Sequence, residues 1–445
     1  MKLFTTVLAL ASLAAAPCTA EKQLVRVEGP RAAFDMFIEE HKGNVDILRS
    51  RQLAEGNVAA ELYGDASLIN QLNHHTSGRF LESTEQVLKF VVADSTDDLI
   101  KREQKEVASC HEKTADYVKK LGDGNFADSA FHDCWRTSTQ VFEFLDKLVA
   151  LSPEFLNKTE EIGRTIEGKP IPLYKISKTN STSDKPKQAL YAQSLIHARE
   201  WQSGGSIFYT IAGMLDGLRS GDARVHAIFD SYDWYFVPVL NIDGYDYSWK
   251  TERLWRKNRR SFFVKGKQYY GVDLNRNFGP LEYFDLDKNS ANPSSTTYPG
   301  LTPLSEPEST AVFAFLRTLG SSLAGTIDVH MNAQTVLRPF SNQRDEAPEP
   351  YKTKLTNLGD AMRQAIQKDS ELKYDNAPSA SGLYMSYGTF KDAVFLELSK
   401  TASYTLELER EDGDFITKQT TIRPVGKRTL ACFLAFSEGI ATYYK

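Results

Sequence analysis

A chain of 445 residues is too long for one ordinary compact domain and suits two or three. Its 41% hydrophobic and 25% charged residues are ordinary for a globular protein able to bury a large core, and no internal repeat or low-complexity tract interrupts it. A formal net charge of −5 gives no reason to expect nucleic acid or an anionic membrane as a partner.

In chain order, the first element is a leader. Lys2 supplies a positive start, Leu3 to Ala16 an apolar run, and Pro17-Cys18-Thr19-Ala20 a set of small residues suited to signal peptidase. Residues 1–20 read as a secretory signal peptide, because the apolar run falls short of the ~20 residues that a membrane span needs. The expectation is an exported, extracellular, soluble protein. Residues 21–125 read as a small α+β unit. Lys22 to Val27 alternates like an edge strand, and Ala32 to His41 spaces Phe34, Phe37 and Ile38 as a helix does. Gln86 to Ala93 is a second strand, and Asp97 to Val107 is charged around Leu99 and Ile100. Glu112 to Lys120 reads as a connecting helix, broken by the turn formers of Leu121-Gly122-Asp123-Gly124-Asn125.

Residues 126–445 change character to alternating helices and strands. Gln140 to Leu151 sets Phe142, Leu145, Leu148 and Val149 on one helical face. Strands are expected at Ile171–Ser177, Gln188–Ile196, Trp234–Leu240, Thr326–Val329 and Tyr404–Leu408. Helices are expected at Gly204–Leu218 and Thr429–Tyr443. The alternation predicts an α/β domain: a mixed central sheet with helices on both faces. After loss of Cys18 three cysteines remain. Export permits one disulfide, expected between Cys110 and Cys134 with Cys432 a buried thiol, and with Cys134–Cys432 as the alternative. Asn157-Lys158-Thr159 and Asn180-Ser181-Thr182 are glycosylation sequons.

The chemistry gathers at strand ends. His197-Ala198-Arg199-Glu200-Trp201 follows the strand 188–196, and a His and a Glu three apart on such a turn can reach one metal. Zinc accepts this mixture at roughly 2.0–2.2 Å per ligand. His330, ending another strand, is the candidate third ligand. Arg199 lies in this turn, Arg256 in the basic cluster Trp255-Arg256-Lys257-Asn258-Arg259-Arg260 and Arg276 in Asn275-Arg276-Asn277, and guanidinium binds carboxylate in a bidentate fashion. A site holding a free carboxylate beside a metal is what an exopeptidase acting at C-termini requires.

These motifs carry a family resemblance. IHAREW, PVLNIDGYDYSW, RLWRKNR, GVDLNRNFG, YPGLTPLSEPE and IDVHMNAQ, in this order, resemble the metallocarboxypeptidase A/B family from about Phe131 to the C-terminus. The resemblance implies one zinc per chain on His197, Glu200 and His330. It implies Arg256 as oxyanion stabiliser, Asn275 and Arg276 on the substrate carboxylate, Arg199 in the outer subsites, and Tyr384 as a mobile cap. Two glutamates answer to the family's general base, Glu397 and Glu407. Glu407 is preferred because Phe415 and Ile422-Arg423-Pro424 then fall on the family's next landmarks. Asp392 matches the Asp of the family's Asp-Trp element, with Ala393 in place of the Trp. That alignment puts Lys391 at the base of the pocket for the terminal side chain, implying a preference for acidic ends; the alternative is that Lys391 points to solvent and Phe390 closes the pocket. Tyr387 breaks the usual Ser-Gly pair, and Met331 and Asn332 depart from the family's Ser-Tyr. Segment 21–125 resembles the family's inhibitory propeptide by position and size, which an activating endoprotease would release near 119–130; the alternative is a permanent folding domain. The implied partners are peptide or protein C-termini and that protease.

Overall fold

The computed structural model describes residues 22–40, 45–52, 56–65, 88–92, 96–122, 124–179, 185–284, 292–368, 370–409 and 415–445. The leader 1–20 and the Asn180 sequon lie outside the described residues. In the first unit, Val25 and Val27 are each 1% exposed while Arg26 and Glu28 face solvent, the period of a strand with one buried face. The elements are β1 (Lys22–Pro30), α1 (Arg31–Glu40), β2 (Val45–Gln52), β3 (Asn57–Asp65) and β4 (Lys89–Val92). Their sheet order is β2-β3-β1-β4, so the segment expected as an edge strand is an inner one. Alternation reports which face is buried, not how many neighbours a strand has. Phe34 and Phe37 of α1 close a small core with Val27, Val58, Ala60 and Leu62.

Helix α2 (Thr96–Lys113) runs through the charged segment. The expected helix over 112–120 is instead the end of α2 followed by turns. Val107, Tyr117 and Leu121 are buried in the large core, together with residues of the following domain. Cys110 is bonded to Cys134, and Cys432 is a buried thiol. On the chain-entropy argument such a closure is worth ~3 kcal/mol.

Helix α3 (Ser138–Leu151) starts on a capping box, Thr137 and Gln140 exchanging bonds. It buries Val141, Phe144, Leu145 and Leu148, whereas Phe142 and Val149 are only partly covered. The expected face is thus turned by about one position. Both stripes are apolar, and the ring of Phe131, stacked 3.8 Å from Phe144, selects between them.

The second sheet has eight strands, β5 (Leu156–Thr159), β6 (Leu173–Ile176), β7 (Gln188–Ser194), β8 (Tyr232–Val237), β11 (Leu323–Met331), β12 (Thr335–Arg338), β13 (Asp375–Pro378) and β14 (Ala402–Leu408). A separate hairpin is formed by β9 (Ser261–Val264) and β10 (Lys267–Tyr270). The order is β13-β12-β14-β11-β7-β8-β6-β5, with β14, β11, β7 and β8 mutually parallel. β6 runs antiparallel to β8, and the edge strand β5 antiparallel to β6, so the sheet is mixed. Helices α4 (Trp201–Ser220), α5 (Ala223–Ser231), α6 (Ile242–Lys250), α7 (Pro307–Leu319), α8 (Tyr351–Gln367), α9 (Ser379–Gly382), α10 (Phe390–Glu397) and α11 (Ile422–Tyr443) complete the domain.

Helices cover both faces. Trp234 of β8 bonds Ser437 and packs on Phe433 of α11, while its neighbour Tyr235 packs on Phe315 of α7. Each large side chain removed from water in this way contributes about 2–3 kcal/mol. No described helix is long and apolar enough to cross a membrane. Asn157 is exposed on β5, the outer strand of the sheet.

Candidate metal centre and active site

Three neighbouring parallel strands end together. β7 runs out at Ser194, and the turn that follows carries His197 before Glu200 caps the start of α4. His330 is the penultimate residue of β11, where Val329 is the register partner of Ser194. Glu407 is the penultimate residue of β14 and the register partner of His330. Carboxyl ends of parallel strands are where open α/β sheets place their sites, because the chain must leave the sheet there.

His197 Nδ1 lies 2.7 Å from Glu200 Oε1, His330 Nδ1 lies 3.0 Å from Glu200 Oε2, and the two Nδ1 atoms are 3.1 Å apart. All three residues are buried, with donor atoms within 4.8 Å of one another. The far nitrogen of each ring faces a carboxylate. His197 Nε2 is 3.2 Å from Asp273 Oδ1, and His330 Nε2 is 2.8 Å from Asp328 Oδ2. If each Nε2 donates to its aspartate, two lone pairs and a carboxylate converge on one point with nothing to bond. Such a set fits a cation, and its two imidazoles and one carboxylate fit zinc.

The surrounding carboxylates favour a positive charge at this point. Burial works against charging His330, but the carboxylates of Asp328 and Glu200 hold its pKa well above the usual value. Burial would raise Glu200, and the two imidazoles overcome it and hold the carboxyl low. Glu407 differs. Burial pushes its carboxyl up to about 7; the imidazole of His330 works against that rise and the charge of Glu200 adds to it.

A cavity of about 380 Å³ opens on this centre, lined by ten of the residues singled out from the sequence: His197, Arg199, Glu200, Arg256, Asn275, Arg276, His330, Tyr384, Lys391 and Glu407. Arg256 is clamped by Asp273 Oδ2, at 3.0 Å from Nε and 2.8 Å from Nη2. Asn275 Oδ1 accepts from the backbone N–H of Phe390, which fixes the amide beside His330. Arg276 Nη2 donates to the hydroxyl of Tyr384 at 3.0 Å, and Tyr384 is 49% exposed. Gly388 lets that loop pass close: its φ is +67°, and a Cβ there would sit 2.2 Å from the carbonyl oxygen of Arg276. Arg199 lies over the ring of Phe415, 4.3 Å from its centroid.

Lys391 is 1% exposed and turned inward, not to solvent. Its Nζ donates to Ser341 Oγ at 2.5 Å and to Asp392 Oδ1 at 3.0 Å. Burial lowers its pKa, and Asp392 works the other way. Glu397 is elsewhere. It ends α10 and pairs with Arg317 at 2.7 Å, so the run Val394–Leu398 is mostly helix and presents no base to the cavity.

The sequence reading gave no role to Asp273, Asp328 and Ser341. Asp328 left a signal, an acid two positions before His330 in a strand buried at all nine positions. An acid in that setting needs a partner, and strand periodicity aims it at the same face as His330.

Comparison with known proteins gives three findings. The sequence pattern of the family described as zinc carboxypeptidase matches residues 141–432. Carboxypeptidase B2 of Homo sapiens is 30% identical over 308 residues, 68% of this chain and 70% of that protein. The inactive metallocarboxypeptidase ECM14 of Saccharomyces cerevisiae is 29% identical over 317 residues, 69% of this chain and 71% of that one. The fold is that of the crystal structure of carboxypeptidase A from Helicoverpa armigera, with a TM-score of 0.77 at 22% identity, covering 95% of this chain and 98% of that chain.

Proposed function

The chain belongs to the zinc carboxypeptidase family, and from that premise we propose that it removes single residues from the C-termini of peptides, with Glu407 as general base, and is exported as a zymogen. It is a metallocarboxypeptidase, a hydrolase. One observation carries the reading: Glu407 projects from the strand beside His330 into the cavity that holds the His197, Glu200 and His330 set and the arginines.

His197, Glu200 and His330 would hold one zinc, which supplies a Lewis acid and lowers the pKa of a water toward about 7. The protein's own groups do the rest. Glu407, held near neutrality by burial, takes the proton of the attacking water and passes it to the leaving nitrogen. Arg256, held in place by Asp273, donates to the oxyanion, a contact of the kind worth ~3–4 kcal/mol. Asn275 and Arg276 grip the terminal carboxylate and Tyr384 closes over it, so that only the last peptide bond meets the water.

Lys391 sets specificity in this proposal. Its ammonium shares the cavity with Arg276, and Asp392 offsets part of that charge. A terminal Glu or Asp gains a charged hydrogen bond worth about 1–3 kcal/mol, and a terminal Lys or Arg is repelled.

The unit over 22–92 supports the zymogen reading. Tyr63 of β3 reaches the pocket that contains Arg199 and Arg256. The inactive yeast relative raises a rival, a silent binding protein. The presence of Glu407 and of every ligand speaks against it.

The test uses uncut and protease-trimmed protein, with and without a zinc chelator, on peptides ending in Glu, Leu and Arg. The trimmed enzyme is expected to be active, chelator-sensitive and fastest on Glu. Lys391→Ala is expected to reduce the preference for Glu about tenfold or more. A wild type that favours Arg, unmoved by that change, removes Lys391 from the pocket. Trimmed protein that turns over none of the peptides establishes the silent reading.

A further inference from the structure

Helix α2 presses a carboxylate into the wall of the active-site cavity. Glu103 is 5% exposed and meets Arg253 as a fork, Nε to Oε2 at 2.6 Å and Nη2 to Oε1 at 3.1 Å. The guanidinium of Arg253 lies 3.6 Å over the ring of Trp201. Its other bonds go to the cavity wall: Nη1 to the carbonyl of Arg199 at 2.9 Å and Nη2 to the carbonyl of Phe415 at 2.7 Å. Arg199 and Phe415 stack on each other, and both line the cavity. A buried guanidinium that spans two backbone carbonyls needs a counter-charge to stay in that geometry, and Glu103 supplies it.

The same helix is bound firmly to the catalytic body. Cys110 is bonded to Cys134, and His111 Nε2 lies 2.7 Å from the carbonyl of Trp135. Past the helix end, Tyr117 donates to Glu143 at 2.9 Å and stacks under Arg136. Val107, Tyr117 and Leu121 belong to the large core, not to the small one of the first sheet. A cut between Lys113 and Phe126 leaves α2 held by the disulfide. A cut before Thr96 leaves it held by the chain itself.

We propose that α2 is a retained part of the working enzyme, and that Glu103 is a positioning residue for its outer cavity wall, acting through Arg253 on Arg199 and Phe415. This rests on the carboxypeptidase reading and differs from the simple zymogen scheme, in which all of 21–125 is lost on activation. On the carboxypeptidase reading, which places Arg199 in the outer subsites, Arg199 and the Phe415 ring stacked on it face the upstream substrate residues. Glu103 therefore acts on the binding of longer peptides and leaves bond cleavage alone.

The experiment treats the full chain with trypsin and takes the intact mass of the active species without reduction. The active species is expected to contain Thr96–Lys113. Glu103→Gln is then compared with wild type on a blocked dipeptide and on a pentapeptide with the same last residue. For the pentapeptide KM is expected to rise about three- to tenfold with kcat unchanged, while both constants for the dipeptide stay within about twofold. An active species without α2 overturns the proposal, and so does a variant that matches wild type on the pentapeptide. Equal losses on both peptides reduce Glu103 to a purely structural contact. The mass measurement needs only wild type, so it decides retention even where the variant folds poorly. An uncut chain as active as the cut one removes the zymogen reading alone, and the Glu103→Gln comparison is then made on the uncut chain.

Discussion

Two glutamates of similar sequence setting have opposite surroundings. Glu407 faces the metal-ligand set from a buried strand end, and Glu397 pairs with Arg317 at a helix end. Glu407→Gln is expected to lower kcat about 10³-fold or more with zinc content unchanged, because a carboxamide cannot accept the water's proton. Glu397→Gln is expected to stay within about threefold of wild type, since it loses one partly exposed ion pair. Metal analysis beside steady-state kinetics reads both, and a reversed pair of results removes Glu407 as base. Asp328 belongs to the same scale. It orients His330 without joining the ligand set, so Asp328→Asn is expected to weaken zinc affinity about 10–100-fold in a competition titration with a chelator. Unchanged affinity would show that the His330 ring needs no such support. The residues that line the cavity were legible because they fall in compact sequence motifs. Their supports, Asp273, Asp328 and Ser341, were not, because a buttress is defined by what lies beside it in space.

At the scale of elements, the legible parts were those whose periodicity has one interpretation. The strands β7 and β8 and the helices α4 and α11 read correctly to within a few residues at most ends, α11 starting earlier than expected. The run Val394–Leu398 was assigned no element, since a short apolar stretch fits a strand or a buried helix equally well. β2 and β3 went unread because Ala59, Ala60 and polar residues dilute their alternation. Helix α7 carries a pH-dependent contact. Glu308, near its start and 0% exposed, is pushed up to about 7 by burial. The nearby carboxylate of Glu306 adds to that rise, while donation from Ile166 N–H and Asn258 works against it. Arg260 pairs with Glu306 and not with Glu308. With the folded pKa above the unfolded one, the native state holds the extra proton between pH 4.5 and 7. The stabilisation is therefore full below pH 4.5 and lost as pH rises through 7, up to about 3 kcal/mol. Thermal melts at pH 5 and pH 8 check this: Glu308→Gln is expected to narrow the gap between the two by about 2–5 °C. Parallel shifts in both proteins would show that Glu308 does not titrate in this range.

At the scale of the whole molecule, the two cores differ greatly in size. The first sheet rests on Val27, Phe34, Phe37, Val58, Ala60 and Leu62, while the eight-stranded sheet is packed by helices on both faces. A unit with so few buried side chains has little stability of its own and depends on its contacts with the larger body. Only β3 reaches across into the large core, through Tyr63, among the described residues of the first sheet. The full chain is therefore expected to unfold in two steps, the first sheet melting first. The tryptophans separate the steps. All five of them, Trp135, Trp201, Trp234, Trp249 and Trp255, lie in the catalytic body, so tryptophan fluorescence follows that body alone. Far-ultraviolet circular dichroism follows both units. A lower transition seen by dichroism and missed by fluorescence is the expected result, and it should vanish once protease removes the first sheet while the upper transition moves by only a few degrees. Coincident transitions from both probes in the uncut chain would mean that the two units fold as one cooperative body, with the contacts of Tyr63 and α2 far stronger than the small core suggests.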